Sequence, residues 1–179
     1  MKHLIIEGCD GSGKTTLHGQ LMQTGQFIPH ARASDSLTGP VPALDRWVEI
    51  DLDQLDDLFY PLPFMYDRHP LVSEIIYADL RWKNPGLTGK FTDTNWLVET
   101  RRQMARQSVL IICQPPYAIV DQAIQTAGRD AHMPGVMENR HTIYKRYQEF
   151  VWPGLVIRYD WTRDNFEDLF KTIELEGKN

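Results

Sequence analysis

Gly8-Cys9-Asp10-Gly11-Ser12-Gly13-Lys14-Thr15-Thr16 satisfies the pattern G-x-x-x-x-G-K-[ST], and the rest of the chain is read outward from it. That pattern marks a phosphate-binding loop when a strand leads in and a helix leads out. Lys2-His3-Leu4-Ile5-Ile6-Glu7 before it reads as a buried strand, and Thr16-Leu17-His18-Gly19-Gln20-Leu21-Met22 after it reads as a helix. The glycines let the backbone turn tightly and approach an anion closely. The loop from Asp10 through Gly11, Ser12, Gly13, Lys14, Thr15 and Thr16 then offers backbone amides and a helix N-terminus to phosphate oxygens. Lys14 can reach β- and γ-phosphates, and the Thr15 hydroxyl can ligate Mg²⁺. Lys14 is therefore expected to point into solvent or ligand, not into the core.

The bulk composition narrows the setting. A chain of 179 residues fits one domain, 1–179, with a sizeable core. With 42% hydrophobic and 24% charged residues it has the make-up of an ordinary globular protein. A net charge of −5 provides no general attraction to nucleic acid, so the expected substrate is small and held by a local cluster of cations. Cys9 and Cys113 have no metal-ligand spacing and form no disulfide framework. No apolar run is long enough for a membrane span or a signal-peptide core, so a reduced, cytoplasmic setting without membrane contact is expected.

Strand and helix patterns alternate along the chain. Gln26 to Arg32 suggests a short strand, with Pro29 at its start or on an edge. Ala33 to Pro42 is a loop, and Ala43 to Tyr60 carries apolar residues at helical spacing. Pro63 to Asp67 is a strand ending in a carboxylate; Leu71 to Trp82 is helical, Lys83 to Thr92 a loop, and Thr94 to Gln107 a helix. Ser108 to Cys113 is the near-continuous apolar run of a central parallel strand. Helices over Tyr117 to Ala127 and Glu138 to Val151 flank a mobile loop, a small lid at about 128–137. Leu155 to Tyr159 is a last strand, and Asp164 to Glu176 a closing amphipathic helix. Such alternation implies right-handed crossovers and an α/β fold: a five-stranded parallel sheet with helices on both faces. Its ligands lie at the C-terminal ends of the strands, where the loop, Arg32, Asp67, Arg68, Gln114 and Asp160 would gather.

Phosphoryl transfer needs positioning, a metal and cations more than covalent help. Asp67 is placed to hold Mg²⁺ with Thr15, and Arg68 to clamp an acceptor or the transferring group. Arg129, in the lid, could close over phosphates. Glu7 is either a base for a hydroxyl acceptor or a hydrogen-bonded partner inside the site, and its neighbours in sequence do not decide between them.

Ile6-Glu7-Gly8-Cys9-Asp10-Gly11-Ser12-Gly13-Lys14-Thr15-Thr16 resembles the E-G-x-[DE]-G-x-G-K-[ST]-T loop of thymidylate kinases. Asp67-Arg68-His69 is similar to their D-R-[YH] motif, and Ser73 with Tyr77 to the S-x-x-x-Y of the following helix. Ile143-Tyr144-Lys145-Arg146-Tyr147 resembles the V-R-x-x-Y helix after the lid. The resemblance implies a P-loop NTPase fold and transfer of the ATP γ-phosphoryl group, with Mg²⁺, to a dTMP-like deoxynucleoside monophosphate. It also implies a possible homodimer. Asp10 would contact the acceptor's 3′-hydroxyl, Arg68 and Arg32 its phosphate, Tyr77 its sugar or base, and Arg129 would be the lid arginine. The family's R-E-P-G-G-T segment is absent, Arg32-Ala33-Ser34-Asp35-Ser36 standing in its place. Deoxynucleoside kinases, in which a glutamate at the position of Glu7 would serve a 5′-hydroxyl acceptor, are the alternative. A nucleotide-binding regulator is a further one, though the guanine-reading N-K-x-D of GTPases is missing.

Overall fold

Ile5 and Ile6 are fully buried because strand β1 (His3–Glu7) runs through the middle of the molecule with neighbours on both sides. The computed structural model describes residues 1–30, 44–55, 60–80, 86–128 and 135–177. β1 pairs in parallel with β3 (Phe64–Asp67) and with β4 (Ser108–Cys113). The short β2 (Ile28–Pro29) adds outside β3, and β5 (Val156–Tyr159) outside β4. The all-parallel order is β2-β3-β1-β4-β5.

Alternation along the strands sorts the core into two layers. Ile5, Phe64, Tyr66, Leu110 and Ile112 face helices α2 (Leu44–Leu55), α3 (Pro70–Tyr77), α4 (Thr94–Gln107), α5 (Tyr117–Ala127) and α6 (Val136–Glu149). Leu4, Ile6, Met65, Val109 and Ile111 face α1 (Lys14–Gln23) and α7 (Phe166–Glu176), which supply Leu17, Leu21, Leu169 and Ile173. The expected five-stranded parallel sheet with helices on both faces is the fold observed. No helix among the described residues is long and apolar enough to cross a membrane.

Local chemistry moves several boundaries. The helix expected over Leu71 to Trp82 leaves α-geometry at Tyr77 and tightens into a 3-10 turn, Ala78–Leu80, where the Gly86 amide takes up the Ala78 carbonyl at 2.7 Å. The expected loop over Lys83 to Thr92 contains a second 3-10 turn, Gly89–Thr92, anchored by buried Phe91. α6 begins at Val136, two residues earlier than its apolar spacing suggests, because Gly135 at φ 93° opens it. Val136 and Met137 of the expected lid are therefore the first turn of a helix, and residues 129–134 lie outside the described part.

His3 ties β1 to β3 in an unusual way. Its Nδ1 accepts the Phe64 amide hydrogen at 2.9 Å, and burial lowers its pKa from 6.5 to about 4. Between those values the unfolded chain binds the extra proton, so stability rises with pH across that window and is lost as pH falls through it. A His3→Asn variant keeps an acceptor for the Phe64 amide and removes the titration. Urea midpoints measured from pH 7 down to pH 4 should fall less steeply for this variant than for the parent.

Candidate active site

The phosphate-loop sequence makes a tight turn between β1 and α1, and its glycines are required by contact as well as by torsion. A Cβ on Gly8 (φ +143°) would sit 2.5 Å from the Cys113 carbonyl oxygen, and one on Gly13 (φ +92°) 2.7 Å from Trp161 Nε1. The Ser12 amide donates to the Cys9 carbonyl at 3.2 Å, and the Trp161 indole N–H donates to the Ser12 carbonyl at 3.0 Å. α1 opens with no side-chain cap, so its first amides are left to the loop's concave side. Thr15 and Thr16 are exposed there, and Ser12 is buried.

Lys14 departs from expectation. It is only 7% exposed, and its Nζ donates to the Cys9 carbonyl at 2.7 Å. Burial first, and the nearby Arg68 charge second, lower its pKa below the usual lysine range. The motif's spacing specifies a lysine at the loop, but the closing of the loop around its own carbonyl determines where the ammonium lies. Both cysteine thiols are also buried, and burial pushes each up to about 12, which leaves them unreactive.

Beside the loop, Arg68 occupies left-handed backbone at φ 70°, the one non-glycine to do so among the described residues. That conformation costs an arginine about 1–2 kcal/mol. What holds it is a ring of oxygens. Arg68 Nη2 donates to Asp10 Oδ1 at 2.6 Å, and Nη1 to the hydroxyls of Tyr77 and Tyr147 at 3.2 and 3.0 Å. Glu7 Oε2 lies 3.7 Å from Nη1 and accepts the Tyr147 hydroxyl at 2.8 Å. Glu7 Oε1 accepts the His69 amide at 2.7 Å and the Ser73 hydroxyl at 2.9 Å. Burial alone would weaken the guanidinium's hold on its proton. Tyr77, Tyr147, Asp10 and Glu7 outweigh that and raise its pKa well above the ordinary value.

Asp10, Lys14, Arg68 and Tyr77 thus converge, although they come from the loop, the start of α1, the turn after β3 and the end of α3. Asp67 is 7% exposed at the C-terminal end of β3, level with Ile6 of β1 and therefore next to the loop. Gln114 and Asp160 end β4 and β5 on the same sheet edge. Arg32 and Arg129 lie outside the described residues. Glu7, open in the sequence between base and buried partner, is 0% exposed with both oxygens engaged. Tyr147 is legible in the sequence as the tyrosine of the V-R-x-x-Y resemblance, but neither that pattern nor helical periodicity carries a sign that its hydroxyl reaches Glu7 and Arg68. Trp161 was not singled out at all, since a lone aromatic after a strand has no motif.

On the other side of the loop, Gly13, Thr16, Leu17, Gln20, Tyr159, Trp161 and Asp164 line a cavity of about 390 Å³. It opens directly beside the N-terminus of α1. One sheet edge therefore carries an apolar-walled cavity, a loop of inward amides, and a buried arginine framed by carboxylates and phenols.

No protein-family model matches the chain, and no curated protein sequence does. Solved structures resemble it along its whole length. The YorR protein of Bacillus subtilis in complex with phosphorylated GDP is 15% identical, with 98% of each chain covered and a TM-score of 0.68. Deoxyadenosine kinase from M. mycoides with products dCMP and a flexible dCDP bound is 18% identical, with 97% of each chain covered and a TM-score of 0.58. The same kinase with bound dCTP is 16% identical over 96% of this chain and 98% of that one, with a TM-score of 0.55. At these identities the likeness is one of fold alone: a five-stranded parallel sheet with helices on both faces, of the P-loop nucleoside-triphosphatase type.

Glu7→Gln should lower the free energy of unfolding by about 3 kcal/mol, because it removes an anion facing a buried guanidinium and a tyrosine hydroxyl. Urea unfolding measures this. An unchanged midpoint would show that Glu7 does not hold Arg68.

Proposed function

We propose that the chain transfers the γ-phosphoryl group of ATP to a deoxynucleoside monophosphate, forming ADP and the deoxynucleoside diphosphate. The observation that carries this reading is the pairing of Arg68, at 2.6 Å, with Asp10 of the loop that also carries Lys14. A fixed guanidinium beside a phosphate-binding loop is what a second, anionic substrate requires. In this reading Gly11, Ser12, Gly13, Lys14, Thr15 and Thr16 hold the donor's phosphates, and its base lies in the cavity against Trp161. Arg68 and Arg32 grip the acceptor phosphate, Asp10 meets the sugar 3′-hydroxyl, and Tyr77 lines the sugar. Lys14, Arg68 and Arg129 share the charge that spreads over the transferring group's oxygens.

Thr15 and Asp67 are the residues that would hold Mg²⁺. Both offer oxygen, as a hard cation needs. When bound, Mg²⁺ neutralises charge across the β- and γ-oxygens.

A nucleoside acceptor is the second reading, and the fold shared with a deoxyadenosine kinase favours it. A 5′-hydroxyl needs a base within hydrogen-bond reach. Glu7, the carboxylate first considered for that task, already accepts hydrogen bonds from His69, Ser73 and Tyr147. That supports the monophosphate over the nucleoside. The acceptor's base is the least constrained part of the reading, since the segment after Arg32 departs from the thymidylate-kinase pattern.

A coupled ADP assay over the deoxynucleosides and their monophosphates tests the proposal. A monophosphate should stimulate ADP release, and EDTA should abolish the stimulation. No stimulation by any acceptor overturns the kinase reading, and stimulation by nucleosides alone selects the second reading. Lys14→Ala should lower kcat by about 10²–10³ in that assay while the protein stays folded by circular dichroism.

A further inference from the structure

His69, the residue after the left-handed Arg68, is fastened through its amide, its carbonyl and its Nδ1. The His69 amide donates to Glu7 at 2.7 Å, and its carbonyl accepts the amides of Val72 and Ser73, each at 2.9 Å. Its Nδ1 accepts the Leu71 amide at 3.2 Å, capping α3. A neutral ring that accepts at Nδ1 carries its proton on Nε2. Nε2 lies 3.3 Å from Asp51 Oδ2, a carboxylate reaching in from α2.

Asp51 is out of place by the rules of stability. It is 3% exposed, on a helix whose contribution to the core is made by Val48, Leu52 and Leu55. Oδ1 sits 3.3 Å from His30 Nε2 at the end of β2. Among the described residues Asp51 Oδ1, His69 Nε2 and the Tyr66 hydroxyl are buried without a well-aligned hydrogen bond. Burying a carboxylate in partners this imperfect costs stability, and an apolar residue of similar size would serve the packing better. The charge therefore points to a role in orientation. Asp51 brings a charged group of α2 to His69, the residue after Arg68.

We propose that Asp51 and His69 are a positioning pair that orients Arg68 for the acceptor phosphate. The inference rests on the acceptor-phosphate reading above. Through Nε2, Asp51 fixes the imidazole; through its amide and carbonyl, His69 fixes the turn that presents the guanidinium. Neither residue touches the acceptor.

Two His69 variants separate this from plain structural support. In His69→Asn, the side-chain oxygen can still cap the Leu71 amide, but the reach to Asp51 is lost. In His69→Gln, the amide nitrogen can still reach Asp51, but the cap is lost. The acceptor KM should rise about tenfold in His69→Asn, with the ATP KM unchanged, and stay near the parent's in His69→Gln. Equal acceptor KM values in the two variants, or a parallel rise in the ATP KM, overturn the pair. Asp51→Leu supplies an independent measurement: the acceptor KM should rise while the melting temperature holds or increases, and a fall in melting temperature with an unchanged acceptor KM overturns the inference. If the parent shows no acceptor-dependent ADP release, the kinase reading fails, and the pair is judged by the ¹⁵N signals of the Arg68 guanidinium. Those should stay sharp in the parent and in His69→Gln and broaden in His69→Asn; no difference between the variants overturns the pair.

Discussion

The guanidinium of Arg68 is 8% exposed, and much of the site's arrangement follows from making that burial tolerable. A buried cation needs anions or strong acceptors on all sides. Here they come from four places: Glu7 at the end of β1, Asp10 in the loop, Tyr77 at the end of α3 and Tyr147 on α6. Each is positioned by an element that also builds the core. The arginine's orientation is accordingly a property of the whole α/β stack, and displacing any one of those elements would disturb it.

The loop has a matching constraint on its other side. Trp161 leaves no room for a Cβ at Gly13 and takes up the Ser12 carbonyl, so the segment after β5 holds the loop's outer wall. The Cys113 carbonyl does the same for Gly8 from the end of β4. The loop is thus gripped from the ends of β4 and β5, and fixed loop geometry of this kind is what phosphate recognition draws on. Asp10, only four residues before Lys14, then couples the two halves of the site: its backbone belongs to the phosphate loop and its carboxylate to Arg68.

Much of this was legible in the order of residues. The glycine spacing with its flanking apolar run and helix, the alternation of strands and helices, and the strand-end Asp67-Arg68 are local patterns, and local patterns record local backbone geometry. The limits of β4, α4 and α5 follow directly from them. Boundaries moved where a tertiary contact took over, as at the 3-10 turn anchored by Phe91.

By itself, then, the sequence determined that a parallel sheet would carry a phosphate-binding loop at the end of its first strand, with Arg68 close by. Only the tertiary structure decided how Glu7 is placed. A carboxylate before the loop reads the same in sequence whether its oxygens are open or, as here, engaged by His69, Ser73 and Tyr147. The same holds for Lys14, turned onto the Cys9 carbonyl, and for Tyr147, whose hydroxyl is invisible to periodicity. Burial and hydrogen bonding between residues far apart in the chain are properties of the packed molecule, and they set the state of each charged group.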